Sequence, residues 1–291
     1  MFDFGDIKNT ESVIRDTWND FRNALACGEF EYNEIEKAKE KVFLRQFDDY
    51  FNKNGCKKFF TKTLKQLIDE KYVFARGTKL KDDKTVNYDR FMPISKYISK
   101  DNRFSPVGVE WLYLAYGYCG DEKYRSEVAE QCTIKECKAE IGQRFGICHF
   151  LIDEAFDELK VVDLTIADEL TYSMLNNSLE EYSRKVERKG KKLAQIGIKS
   201  HVNKMEFKEE FAKWFSYTDA KLISEQLFLP VECGEEKYMY APFQCLAQYF
   251  KSLGYVGILY SSTVYPKAKN IVLFDKTMGI PTGDIKDFVI A

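Results

Sequence analysis

Histidine is almost missing from this chain of 291 residues: only His149 and His201 occur. A Ser-His-Asp triad or a histidine-built metal site would have to use one of the two. His149 lies in the apolar run Gly146-Ile-Cys-His-Phe-Leu-Ile152 and reads as a packed side chain. His201 lies in a polar, basic stretch and reads as a surface residue. Whatever chemistry the chain performs is expected to proceed without histidine. Glycine-built phosphate cradles are missing too. No GxGxxG follows a strand, and there is no GxxxxGK[ST], no HExxH, no GxSxG and no EF-hand loop. These gaps set aside the commonest dehydrogenases, NTPases, zincins and serine hydrolases, and leave a site that must hold its substrate with side chains. No two cysteines form a CxxC pair, and Cys132 and Cys137 have no other ligand types close by in sequence, so no zinc or other metal site is expected. The eight cysteines (27, 56, 119, 132, 137, 148, 233 and 245) read as reduced, mostly buried small hydrophobes.

Charge of one sign is also lacking. Forty-four basic and 46 acidic residues nearly cancel, so no global field marks a nucleic-acid or membrane binder. No apolar run approaches the roughly 18 residues of a membrane helix. Met1-Phe-Asp-Phe-Gly-Asp carries no basic region or apolar core of a secretory signal. A cytoplasmic protein is expected.

The chain does have apolar and aromatic residues, 45% and 15%, enough for one large or two modest domains. The spacing of Ile35, Ala38, Val42, Phe43, Phe47, Tyr50 and Phe51 predicts an amphipathic helix over 33–52, ended by Asn54-Gly55. Helices are also predicted over 10–26 and 57–70, giving a helical N-terminal region, 1–70. The pattern then changes. Strands are predicted over 72–76, 111–115, 147–152 and 160–164, with a helix over 123–141. A charged helical insertion spans about 166–228, with Phe207, Phe211, Trp214 and Phe215 on one apolar face. A helix over 241–252 takes Pro242 in its first turn and stops at Gly254, and strands 256–260 and 270–275 follow. This order implies an α+β fold, with residues 71–291 as the second domain. Within the insertion, the basic run Arg184-Lys-Val-Glu-Arg-Lys-Gly-Lys-Lys192 reads as a solvated helix end, with a nucleic-acid contact as the sharper alternative.

Four segments, in order, resemble the RES domain family, named for its Arg, Glu and Ser. They are Phe74-Ala-Arg76; Asn102-Arg-Phe-Ser-Pro-Val-Gly-Val-Glu-Trp-Leu-Tyr-Leu-Ala115, similar to the family's GRF-x-P-x-G … LYLA; Thr133-Ile-Lys-Glu-Cys-Lys-Ala-Glu-Ile-Gly142; and Leu253-Gly-Tyr-Val-Gly-Ile-Leu-Tyr-Ser-Ser262 running on to Asn270-Ile-Val-Leu-Phe-Asp275. The resemblance covers about residues 71–280. It implies a mixed β core like that of ADP-ribosyltransferases and a toxin that degrades NAD+ by phosphorolysis or hydrolysis, held in check by an antitoxin. It places the family's two arginines on Arg76 and Arg103, its tyrosine on Tyr113, its glutamate on Glu136 and its serine on Ser262. Glu130 and Glu140 remain alternatives to Glu136, and Ser261 to Ser262. The N-terminal helices and the insertion depart from the family's pattern; binding an antitoxin or regulatory protein, self-association and sensing a trigger stand as alternative roles for them.

The chemistry agrees with those residue types. Cleaving the nicotinamide–ribose bond expels a neutral pyridine, so no strong general acid is required. The transition state resembles an oxocarbenium ion, which a carboxylate stabilises. Glu136 suits that role, Arg76 and Arg103 suit the pyrophosphate, Tyr113 suits nicotinamide or a phosphate, and Ser262 suits holding the glutamate or the ribose. NAD+ is thus expected as substrate, with water or inorganic phosphate as acceptor. Two other readings stand beside it: a protein ADP-ribosyltransferase on the same site, and an inactive binding module that uses the basic run.

Overall fold

The computed structural model describes residues 7–81, 85–195, 204–232 and 234–291. The first six residues, His201 and Cys233, each weighed above, lie outside them. The chain divides into two compact units: Met1–Phe60 with Leu164–Leu229, and Thr61–Asp163 with Pro230–Ala291.

The first unit is helical. It contains α1 (Ile7–Ala26), α2 (Ile35–Ala38), α3 (Val42–Asp48), α4 (Lys57–Phe60), α7 (Tyr172–Gln195) and α8 (Lys204–Leu227). The single helix expected over 33–52 is broken. Lys41 is extended and restarts the helix at Val42, and a π-helical stretch, Asp49–Lys53, ends it. The restart stacks Phe43, Phe47 and Phe51 at successive helical turns, with Trp18 edge-on to Phe43 at 4.9 Å. Gly55 adopts φ +83°, a stop only glycine makes cheaply. A second cluster joins Cys56 to Leu175, Leu179, Ala212, Trp214 and Phe215. The N-terminal helices and the insertion, read as separate segments, therefore share one core.

The second unit is built on a mixed eight-stranded sheet, which makes the chain an α+β protein. Its strands are β1 (Thr61–Thr63), β2 (Val73–Lys79), β3 (Leu112–Gly117), β4 (Arg144–Ile152), β5 (Lys160–Asp163), β6 (Gly257–Ser261), β7 (Lys269–Leu273) and β8 (Gly279–Val289). Their order is β1-β5-β6-β7-β3-β2-β4-β8. Neighbours are antiparallel except β5 and β6. Residues 61–70 belong to this unit. Thr61–Thr63 leaves the expected helix to pair with β5, since β-branched threonines favour the ladder. Thr63 then opens α5 (Leu64–Asp69) with a capping box to Gln66. α9 (Glu236–Ser252) starts earlier than expected, so Pro242 falls inside the helix rather than in its first turn. β8 was not anticipated because Pro281 and Gly283 interrupt its pattern; at the sheet edge, paired only to β4, it tolerates both.

The two faces of the sheet differ. One is lined by Phe74, Leu112, Leu114, Tyr116, Phe150, Leu259, Ile271 and Leu273, and α5 packs there through Leu64 and Leu67. The other carries small residues. Ala75, Ala115, Asn270 and Tyr260 are register partners across β2, β3, β7 and β6. α6 (Glu122–Glu136) lies on this face through Val128, Ala129 and Cys132. It comes so near that a Cβ on Gly117 would stand 2.1 Å from the Arg125 carbonyl oxygen. The register between β2 and β3 ends at Ala75↔Ala115. Beyond it β2 continues with β4 to Lys79, and β3 continues with β7 to Leu112. The two strands thus part as a fork in mid-sheet.

Candidate functional site

Glu136 is the last residue of α6, followed by the cap Cys137 and by Lys138 at φ +48°. A carboxylate there faces the negative end of the helix dipole and needs donors from elsewhere. Two reach the same oxygen. Ser262 Oγ donates to Glu136 Oε1 at 2.8 Å, and Asn270 Nδ2 donates to it at 2.8 Å. The residue as a whole stays exposed.

Ser262 is fully buried just after β6. Its Oγ accepts the backbone N–H of Tyr265 at 3.1 Å and of Val264 at 3.4 Å, so its own proton is left for the glutamate. The turn after Ser262 also positions Thr263, whose Oγ1 accepts a hydrogen bond from Arg103 Nη2 at 2.7 Å. Arg103 is held from behind by Phe104, fully buried against Tyr260 (ring centroids 4.9 Å apart) and Phe243. In the same loop Ser105 Oγ is 2.9 Å from the Tyr113 hydroxyl.

Arg76 stands where the fork opens. Its Nη1 donates to the Tyr113 carbonyl across the gap, at 3.3 Å. Burial pulls its pKa down; Cys137 and Tyr113 oppose that, and Arg90 adds to it. A guanidinium so placed keeps its charge. Burial likewise drives the Tyr113 phenol far up, against Ser105, the Phe104 backbone and Arg76. Tyr260, buried beside this group, is raised well above the ordinary value by burial first, then by Glu136 and Tyr113, with Arg103 acting against. Glu136, Tyr113 and Arg103 thus all act on one buried ring.

The expected residues therefore fall into two groups: Glu136 with Ser262 and, through the neighbouring Thr263, Arg103; and Tyr113 with Arg76 at the fork, linked to the first through the loop from Arg103 to Ser105. Glu130 faces elsewhere. It accepts from Ser126 at 2.9 Å and from Lys286 at 2.7 Å, and lies 3.0 Å from His149 Nε2. Burial raises its pKa, but the bonds from His149, Lys286 and Ser126 outweigh this and hold it at about 2. Ser126 and Glu130 both meet the same nitrogen of His149, so the trio lacks the geometry of a nucleophilic triad. Glu140 lies beyond the end of α6, in an exposed irregular segment. Ser261 remains in the ladder opposite Lys269. Trp111 and Tyr260 are buried, as packing residues are.

Asn270 was overlooked. Its signal was a polar amide heading the apolar strand Asn270-Ile-Val-Leu-Phe274, an arrangement that needs a buried partner. A separate hollow of about 460 Å³, lined in part by Trp111, Lys251, Phe274 and Lys276, does not include these residues. Among the described residues no group of three or more His, Cys, Asp or Glu side chains could hold a metal ion, and no helix is long and apolar enough to cross a membrane. In the basic run, Arg184 pairs with Glu180 and Lys191 with Glu187 on the same helix. No family model, curated protein or solved structure matches the chain.

Proposed function

We propose that this chain is a RES-type enzyme that cleaves NAD+ at the nicotinamide–ribose bond. The observation that carries the reading is the 2.8 Å hydrogen bond from Ser262 to Glu136, 126 positions apart in sequence. These are two of the residues to which the resemblance gives the central roles. The fork between β2 and β3, with a guanidinium at its mouth, supports it as a place where a dinucleotide could lie against a sheet of the ADP-ribosyltransferase kind.

In this reading Arg76 and Arg103 hold the pyrophosphate, and Tyr113 helps to seat the nicotinamide end. Glu136, ionised and fixed by one oxygen, faces the ribose. As the C1″–N bond lengthens, nicotinamide leaves with the bonding electron pair and positive charge grows on the ribose. The carboxylate stabilises that charge and orients the incoming nucleophile. Attack by water gives ADP-ribose and one proton; attack by phosphate gives ADP-ribose-1″-phosphate. An antitoxin that covers the fork would silence the enzyme, and the cytoplasm, where NAD+ is abundant, is the place for it to act.

The test is to incubate the purified chain with NAD+, with and without phosphate, and to measure nicotinamide. The wild type should release it, and Glu136→Gln should slow release by at least about 100-fold, the scale of a lost electrostatic contact. No loss of NAD+ with either acceptor defeats the proposal. Transfer of label from NAD+ to a protein, with little free ADP-ribose, would select a protein ADP-ribosyltransferase instead.

A further inference from the structure

We propose that Asn270 is a positioning residue: it fixes Oε1 of Glu136, so that Oε2 is the oxygen presented to the substrate. The inference rests on the NAD+-cleaving reading for its substrate, and on geometry alone for the clamp.

Asn270 sits in β7, an inner strand paired to β3 on one side and β6 on the other, and is only 5% exposed. The residues after it, Ile271, Val272 and Leu273, are fully buried. A primary amide in such a strand is costly unless both its ends are matched. Both are. Oδ1 accepts from Cys132 Sγ at 3.7 Å, and Nδ2 donates to Glu136 Oε1 at 2.8 Å. Burial pushes the Cys132 thiol up to about 12, so it stays protonated and remains a donor. A carboxylate oxygen only accepts, so the NH2 group points at the glutamate and the amide oxygen meets the thiol.

Ser262 completes the arrangement. Its oxygen is taken by two backbone N–H groups, and its proton goes to the same Oε1. Two neutral donors, from two different strand ends, thus converge on one oxygen of an otherwise exposed side chain. A carboxylate that served only as a solvated surface charge would not need this. One that must keep a fixed direction near a reacting carbon would, because a displacement of an ångström can cost about 100-fold in rate. The ionisable groups that feel Glu136 are Cys132 and Cys137 on its own helix and Tyr260 on β6. Burial keeps all three protonated at neutral pH.

Asn270→Asp, nearly the same size, tests the clamp by setting a second carboxylate against Oε1. Two carboxylates that close cannot both ionise freely. The two carboxyls should then share a proton and titrate as a coupled pair, which moves the signal of the Glu136 carboxyl by more than about one pH unit. This can be read by carbon NMR of labelled glutamate, with Glu136→Gln to identify the signal. The acid limb of kcat/KM for NAD+ should move the same way. Asn270→Ala should lower kcat by about 100-fold with KM unchanged. If both variants keep the wild-type kcat and acid limb, the positioning role is wrong; if the Glu136 titration is unmoved by Asn270→Asp, the clamp is wrong. The titration needs no substrate. A wild type that leaves NAD+ intact would end the NAD+ reading while the titration still decides on Asn270.

Discussion

Glu130 and Asp219 show how neighbours decide what a side chain can do. Glu130 is tied to Ser126, Lys286 and His149, and its pKa is held at about 2. Its folded pKa lies below the ordinary carboxylate value of about 4.5. It therefore stabilises the fold above that value, and the contribution disappears as pH falls from about 4.5 to 2. Glu130→Gln should cost roughly 1–2 kcal/mol at pH 7, screening by solvent included, and nothing near pH 2. Melting curves of both proteins across that range will show it. Asp219 in α8 is the opposite case. It is 2% exposed, its Oδ2 has no hydrogen-bond partner among the described residues, and burial raises its pKa well above the ordinary value. Its folded form holds a proton that the unfolded chain gives up, so stability declines as pH rises past about 3.8 towards the raised value. Asp219→Asn should raise the melting temperature by about 3 °C at pH 8. It should leave the melting temperature unchanged near pH 3. A variant that melts below the wild type at pH 8 would contradict this account.

Among the elements, α6 carries the site, and its height above the sheet is set by what it rests on. Gly117 lies under the Arg125 carbonyl, and Gly77 lies under Thr133 and against Phe145. Gly117→Ala should force the helix outward at a cost of about 2 kcal/mol. Because Glu136 rides on that helix, the proposed NAD+ cleavage should fall along with the melting temperature; retained activity in a destabilised protein would show that the helix end moves independently. The long elements were readable in the sequence: α1, α6, the inner strands and the helices of the insertion. What hid were the places where local preference and tertiary pairing disagree. Thr61–Thr63 is too short to show alternation and forms β1 only because β5 is there. β8 contains a proline and a glycine, which the edge of a sheet forgives. Arg76, Arg103, Glu136 and Ser262 could be named through a family pattern. Asn270 lay inside one of the same segments, but its role depends on which face of β7 it occupies and on Cys132 behind it, and neither is visible along the chain.

At the scale of the molecule, the chain threads its two units alternately: helical, sheet, helical, sheet. Each half of the helical unit showed an apolar stripe in sequence, but a stripe does not say what covers it. In the structure Tyr50 lies 3.9 Å from Phe215, and Cys56 lies among Leu175, Leu179 and Trp214. A chain lacking residues 1–60 should therefore expose that cluster, bind a hydrophobic dye and associate. If it instead stays monomeric with an unchanged melting temperature, the shared core is not what holds the insertion. The threading also bears on synthesis. A ribosome would deliver both guanidiniums and the acid long before the alcohol and the amide that steady it, with the whole of α7, α8 and α9 in between. Under the proposed activity, a nascent chain, or one cut short before β6 and β7, would be harmless to the cell making it, because those two late strands arm the enzyme.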